Sequence, residues 1–344
     1  MFFNKRLKVK SFSRKSEKFR KRLVPLTIAG LIALGFTYQQ LSIHFTASHL
    51  GRMGKLVDIN GTNMHLYEAG TGDIPIVFTA NIGSNTPYVD LYPVHHILSE
   101  NYNVMVYDRP GYGWSDITSK PRDIDVICEE IHALLHSDDN PEDEDEALEP
   151  FIYVAQGMGA LEAIRYAQLY PKDVAGIVFI EGTSPSFCAD FNNIMIIESF
   201  ATNALRNTGV LRLLGNTSYA SAIINDNPEL SDDLRKLNKG IALNHTWNRN
   251  VLAEKLNVTD NAEKVIDNLG ENYLGDIPIR VITSEANTYT NWSRCQNALL
   301  SLSTDSKQTY ITKSTTTIDA IDVPTIVSTI EELVNHVEEL RDDY

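Results

Sequence analysis

The fold of this chain is decided by the stretch Phe151-Ile152-Tyr153-Val154-Ala155-Gln156-Gly157-Met158-Gly159-Ala160. An apolar, β-rich run breaks at a glycine-rich turn, and the chain then restarts with the apolar spacing of a helix up to Ala167. Small residues in such a turn let the strand and the helix approach closely. The stretch therefore predicts a strand, a sharp turn with Gly157 at its tip, and a helix.

Strand and helix patterns alternate on both sides of this turn. Two short runs flank an Asn60-Gly61 turn and predict a hairpin, and later apolar runs predict buried strands. The strand segments are residues 55–59, 64–68, 74–79, 103–108, 174–180, 277–283 and 308–312. Amphipathic helices are predicted at 124–135 and 324–340. This alternation predicts an α/β domain with a mostly parallel sheet covered by helices on both sides.

The N-terminal segment carries a charge opposite to that of the rest of the chain. Residues 1–22 hold ten Lys or Arg and one Glu, a net charge of +9, so the whole-chain charge of −15 leaves −24 on the remainder. Residues 23–43 are uncharged and mostly apolar, and about 20 such residues span a bilayer. The basic flank predicts a single-pass cell-membrane anchor with a cytoplasmic N-terminus and an extracellular C-terminal domain.

A cleaved signal peptide is the rival interpretation of this segment, with a weak small-residue cleavage site at 45–48. The long basic flank and the lack of an A-x-A site favour the anchor. The acidic charge of the body argues against nucleic acid as a partner.

Metal and disulfide sites are not expected. Cys128, Cys188 and Cys295 lie far apart without C-x-x-C spacing, which argues against a disulfide framework or a structural zinc site. Residues 137–149 hold eight acids but lack the spacing of a calcium loop, so they predict a solvated loop. No H-E-x-x-H motif or clustered histidine is found, and no cofactor is expected.

From about residue 56 to residue 340 the chain resembles the α/β-hydrolase fold family. Residues 78–83 resemble the family's oxyanion loop, and Tyr107-Asp-Arg-Pro-Gly-Tyr-Gly-Trp-Ser-Asp116 resembles its D-R-x-G-x-G-x-S motif. Residues 154–159 stand where the family has V-G-H-S-M-G around its nucleophile. Residues 184–272 resemble the family's inserted helical lid.

The resemblance implies where catalytic residues should stand, in the order nucleophile, acid, histidine. The nucleophile position is Gly157, which has no side chain. The acid position after the penultimate strand is Asn287. Glu285 lies two residues earlier, and Glu181 ends the strand after the elbow helix, another place where the fold can put its acid.

The histidine is expected after the last strand, about seven residues before Pro324. Thr317 stands there, with Thr316 as the alternative. His245 falls in the lid and His336 falls inside the closing helix. All three side chains that serine hydrolysis requires are therefore replaced.

Other nucleophiles lack the partners that would activate them. Ser84 has no identifiable histidine partner, and Ser115 matches a residue that the family uses structurally. Cys188 would need a cationic or imidazole neighbour to lower its pKa. Asp108 is expected to anchor the following turn rather than to act as a base.

A ligand pocket is nevertheless expected at the elbow, because main-chain donors survive changes of side chain. The N–H groups of Ile82 and Met158 can converge on the oxygen of a small carbonyl-bearing ligand. The predicted pocket residues are Asn81, Ile82, Gly83, Gln156, Gly157 and Met158.

Two functions follow from these residues. The first is a membrane-anchored, outward-facing pseudohydrolase that binds a ligand or a protein partner; the second is a hydrolase of small esters or amides that uses non-standard residues. The expected organisation is a basic cytoplasmic segment at 1–22, a transmembrane anchor at 23–43 and a hydrolase-like domain at 54–344, with a helical lid at 184–272.

Overall fold

A computed structural model gives the architecture of the chain. It describes residues 4–49, 51–79, 81–138, 148–191, 196–224, 230–270, 273–285, 287–312 and 322–342.

Eight strands form one sheet in the order β1-β2-β4-β3-β5-β6-β7-β8. They are β1 (Lys55–Asp58), β2 (Asn63–Ala69), β3 (Ile76–Thr79), β4 (Val104–Asp108), β5 (Phe151–Gln156), β6 (Val174–Ile180), β7 (Ile279–Ser284) and β8 (Ser306–Ile311). Strands β1 and β2 form the predicted antiparallel hairpin, β2 pairs antiparallel with β4, and every later pair is parallel. The mostly parallel sheet expected from the sequence is confirmed.

Helices cover both faces of this sheet. One face packs against α4 (Ile124–Leu135) and α5 (Gly159–Leu169), and the other packs against α2 (Pro87–Asp90), α3 (Tyr92–Leu98) and α14 (Val323–Asp342). Neighbouring residues of β5 show why: Tyr153 belongs to one core and Val154 to the other, and both are fully buried. A strand covered on both faces is apolar throughout, which explains its uninterrupted apolar run.

A group of helices lies between β6 and β7 in the described part of the chain. These inserted helices are α6 (Pro185–Ala189), α7 (Ile196–Asn207), α8 (Val210–Leu213), α9 (Ser218–Ile223), α10 (Asp232–His245), α11 (Arg249–Leu256) and α12 (Val258–Asp267). Helix α13 (Trp292–Leu300) then connects β7 to β8.

The N-terminal helix α1 (Asn4–His49) is longer than the predicted anchor. Its segment Lys21–Thr46, 26 residues, is long and apolar enough to cross a membrane by length and composition, since a helix of that length extends about 39 Å. A signal sequence near an N-terminus would pass the same test.

The C-terminal half of α1 packs against the inserted helices. The Gln39 amide nitrogen donates to the carbonyl of Leu243 at 2.7 Å, and the Gln39 oxygen accepts from Arg212 Nε at 3.0 Å. A Cβ atom at Gly35 would lie 2.2 Å from the carbonyl oxygen of Thr208. Only glycine permits such a close approach, so α1 and the inserted helices are in direct backbone contact at this position.

A buried histidine of α3 predicts a specific acid sensitivity. His95 is fully buried beside the rings of Tyr67, Tyr88 and Tyr92, and its Nε2 lies 2.9 Å from the Tyr88 carbonyl. Burial lowers the pKa of His95 to about 4. The His95 side chain therefore takes up a proton near pH 6.5 in the unfolded chain but stays neutral in the folded chain until about pH 4. The free energy of unfolding is consequently unaffected by His95 above pH 6.5 and decreases as the pH drops from 6.5 towards 4.

We expect His95→Gln to remove about 2 kcal/mol of the stability difference between pH 7 and pH 4.5. Urea unfolding of the full chain in detergent micelles at both pH values measures this difference. His96→Gln, at the exposed neighbouring position, is the matched control. Equal acid sensitivity of the wild type and His95→Gln would contradict the assignment.

Candidate functional site

The elbow predicted at Gly157 is present. Strand β5 ends at Gln156, α5 begins at Gly159, and Gly157 has a φ of +54°. That left-handed conformation favours glycine. The Gly157 N–H donates to the Ile180 carbonyl at 3.1 Å and its carbonyl accepts from Thr183 N–H at 3.0 Å, so the turn is tied to β6 and the residues that follow it.

The side chain of Asn81 occupies the space in front of this elbow. Its Oδ1 accepts a hydrogen bond from the Met158 N–H at 2.9 Å. A Cβ atom at Gly157 would lie 2.8 Å from Asn81 Cγ. The sequence led us to expect the Met158 N–H to be available to a ligand oxygen, but in the structure Asn81 accepts from it.

A cavity of about 770 Å³ opens over the elbow, within the usual size of small-molecule sites. Of the predicted pocket residues, five line it; Gly83 lies outside the lining, against the ring of Trp247. The lining includes Asn81, Ile82, Gln156, Gly157, Met158, Glu181, Thr183, Phe187, Phe191, Trp247, Lys255, Asn287, Tyr289 and Trp292.

The two places where the fold can hold an acid meet in this cavity. The Asn287 amide nitrogen donates to Glu181 Oε2 at 2.7 Å, and the Ser284 N–H donates to Glu181 Oε1. Burial raises the pKa of Glu181, although these two hydrogen bonds oppose the shift. Glu181 also has a φ of +50°, an uncommon conformation for a residue other than glycine. Glu285 lies outside the cavity lining.

No histidine lines the cavity among the residues that the structure describes. Thr316 and Thr317 lie within 313–321, outside the described residues, and that segment contains no histidine in its sequence. His336, in α14, contacts Asp305 instead, with Nε2 2.6 Å from Oδ2. His245 is the last residue of α10 and lies outside the cavity lining.

The alternative nucleophiles are engaged in structural contacts. Ser84 donates to Asp90, and Ser115 donates to the carbonyl of Asp108 at 2.6 Å. Cys188 is buried, and burial raises its pKa to about 12, so it is a thiol at neutral pH. All three cysteines are free and buried.

A cation and several aromatic rings contribute to the cavity without a sequence motif. Lys255 Nζ lies 4.4 Å from the centre of the Trp247 ring and donates to Ser199 Oγ at 3.0 Å. Burial lowers the pKa of Lys255. Phe187 packs edge-on against Trp292, and both rings line the cavity. The spacing of these residues gave no signal, because they come from separate parts of the chain: α6, the connection between α10 and α11, α11 itself and α13.

A buried ionic network joins the sheet to the inserted helices. Arg109, after β4, donates to Glu162 of α5 at 2.6 Å and lies 3.4 Å from Glu254 of α11. Arg122 pairs with Glu254 at 3.2 Å and with Glu130 of α4 at 2.5 Å. Arg109 belongs to the D-R motif, but the sequence did not predict the network.

The expectation that histidines do not cluster is wrong. His132 and His136, four residues apart at the end of α4, both contact Asp173 Oδ2, at 3.0 and 3.1 Å. The spacing was visible in the sequence, but the carboxylate lies 37 residues beyond His136 and joins them only through the fold.

Comparison with known proteins agrees with this fold. The sequence model of a hydrolase family described as serine aminopeptidase S33 matches residues 91–311. The uncharacterized protein YbdG of Bacillus subtilis (strain 168) is 24% identical over 253 residues, covering 72% of this chain and 75% of its own.

Two solved structures show the same fold. Cfl2 of Burkholderia cenocepacia superposes with a TM-score of 0.64 at 16% identity, covering 81% of this chain and 94% of its own. A thermophilic esterase of Thermogutta terrifontis, solved with malate bound, gives 0.60 at 15% identity, with 83% and 99% covered. From the family match, the sheet order and the elbow, this chain belongs to the α/β-hydrolase family described as serine aminopeptidase S33.

Proposed function

We propose that this protein is a membrane-anchored, outward-facing pseudohydrolase that binds a small ligand without turning it over. The observation that carries the proposal is the hydrogen bond from the Met158 N–H to Asn81 Oδ1, beside a nucleophile position without a side chain. In an active member this N–H stabilises the oxyanion of the reaction. Here an amide oxygen from the chain itself accepts that hydrogen bond.

The cavity supports ligand binding. Its aromatic rings offer an apolar surface, and the same lining holds two basic residues, Lys255 and Arg294, and two acidic residues, Glu181 and Asp190. A small molecule with an apolar body and a carbonyl or carboxylate group fits this chemistry, with its oxygen towards Lys255. A protein segment bearing such a group is the alternative occupant.

The anchor supports a location at the membrane. The basic residues within 1–22 stand at the N-terminal end of segment Lys21–Thr46 and direct the N-terminus to the cytoplasm, and the domain then lies on the outer side. Because α1 packs against the inserted helices through Gln39 and Arg212, these helices act as a lid held close to the outer membrane surface.

The alternative function is hydrolysis of small esters or amides by non-standard residues. Glu181 favours it, because a carboxyl group in the cavity with a raised pKa is suited to act as a general base. A fluorophosphonate probe separates the serine-dependent form of this function from the proposal. The purified full chain should remain unlabelled while a serine esterase of the same fold reacts, and covalent labelling of a cavity serine would overturn the proposal.

We expect Gly157→Ser to show no turnover of p-nitrophenyl esters. The new Cβ would lie 2.8 Å from Asn81 Cγ, and no imidazole lines the described part of the cavity to take the serine proton. Hydrolysis is measured by release of p-nitrophenolate, with Gly157→Ala as the matched control.

The double variant Gly157→Ser/Asn81→Gly relieves the contact with Asn81 and frees the Met158 N–H. It should also be inactive, because the general base is still missing. Turnover of either serine variant at the rate of an ordinary esterase would show that a base is present and that the assignment of Thr317 to the histidine position is wrong.

A further inference from the structure

We propose that His132, His136 and Asp173 form a binding site for a late first-row divalent metal ion of the Zn²⁺ class. The ligand atoms are His132 Nδ1, His136 Nε2 and Asp173 Oδ2, all within 4.8 Å of one another. The proposal is independent of the function proposed for the cavity, since these residues lie elsewhere in the fold.

The distances suit coordination. The two imidazole nitrogens lie 3.0 and 3.1 Å from the same carboxylate oxygen. Metal bonds of about 2.1 Å place neighbouring ligand atoms roughly 3.0 to 3.4 Å apart in octahedral or tetrahedral geometry. Residues four apart on a helix present their side chains on one face, which explains how both rings of α4 reach one point.

The surrounding residues hold the ligands in place. Tyr166, fully buried, donates from its hydroxyl to Asp173 Oδ2 at 2.9 Å, and that hydroxyl also lies 3.1 Å from His132 Nδ1. The ring of Tyr170 stacks on His132 with centroids 3.9 Å apart. The Asp173 carbonyl accepts from the Phe151 N–H at 2.8 Å. Such supporting contacts orient the ligands of metal sites.

The residue types select the metal. Imidazole nitrogen suits zinc, copper and nickel, whereas calcium and magnesium prefer oxygen ligands alone. The side chains of His132, His136 and Asp173 are 34%, 22% and 17% exposed, so an ion can enter from solvent and complete its coordination with water. Binding displaces the protons that now bridge these groups.

The position of the site indicates a structural role. Asp173 lies beside the beginning of β5, whereas Gly157 follows its end, so six strand residues, roughly 20 Å, separate the two sites. A bound ion would join the end of α4 to the connection between α5 and β6. It would stabilise the folded domain by mass action without entering the cavity.

The test is calorimetric titration of Zn²⁺ into the full chain, without a histidine tag, in detergent micelles. We expect one saturable equivalent and a rise in the unfolding temperature with Zn²⁺. His132→Ala/His136→Ala should lose both the binding and the rise in unfolding temperature. Asp173→Asn, which keeps the shape of the side chain, should lose both as well, and it tests the site even where the double variant does not fold. Tyr166→Phe should bind roughly tenfold more weakly.

The matched control is Asp143→Asn/Asp145→Asn in the acidic segment, which removes cation-attracting charge but none of the proposed ligands. This control should bind Zn²⁺ as the wild type does. The proposal is overturned if the wild type binds no Zn²⁺, if Asp173→Asn and the histidine variant bind it undiminished, or if the acidic control loses it.

Discussion

Replacing Glu254 by alanine is expected to lower the free energy of unfolding by roughly 3–5 kcal/mol, because it breaks a buried ion-pair network by removing one partner. Glu254 is 2% exposed. Its carboxylate lies 3.2 Å from Arg122 and 3.4 Å from Arg109, and it accepts from the Tyr112 hydroxyl at 2.7 Å. Without this carboxylate, the two buried guanidinium groups lose part of the negative charge that compensates them.

The charges of this network balance only when Glu254 is present. Three carboxylates face three cations, of which Lys120 is the most exposed and lies 3.6 Å from Glu130. The members are Arg109, Arg122, Lys120, Glu130, Glu162 and Glu254. Because Glu254 belongs to α11, its loss should loosen the inserted helices from the sheet.

Chemical denaturation of the full chain in micelles measures the effect. Glu263→Ala, at an exposed position of the neighbouring helix α12, is the control and should change stability by no more than about 0.5 kcal/mol. A loss below about 1 kcal/mol for Glu254→Ala would mean that the network relaxes around the missing charge.

Two aspartates in the apolar part of α1 should release the protein from membranes. Leu31 and Leu34 are 63% and 68% exposed, so Leu31→Asp/Leu34→Asp leaves the folded domain intact. A charged residue at the centre of a membrane helix costs roughly 2.5–3.5 kcal/mol. Two of them reduce membrane retention far below that of the wild type.

Alkaline washing of membranes, followed by detection of the protein in pellet and supernatant, measures this retention. The control Ile97→Asp/Ile117→Asp adds the same charge at exposed apolar positions of the domain and should stay in the pellet. A mature wild-type chain that begins near residue 48 would contradict the anchor and show that the segment is a cleaved signal sequence.

Local sequence patterns determined the fold of this protein. Uninterrupted apolar runs such as Phe151–Gln156 identify strands buried on both faces. Glycine at the tip of the elbow identifies the turn, since its φ of +54° is one that other residues seldom adopt. The absence of a nucleophile side chain at Gly157 is likewise a fact of the sequence.

The tertiary structure alone decided what surrounds that turn. Three contacts join residues that are far apart in the sequence: Asn81 and Met158 are separated by 77 positions, Arg122 and Glu254 by 132, and His136 and Asp173 by 37. Periodicity shows which face of an element is buried, but not which distant side chain packs against it. The elbow could therefore be located from the sequence. The hydrogen bond from its Met158 N–H to Asn81 could not, because it depends on how the sheet brings two loops together.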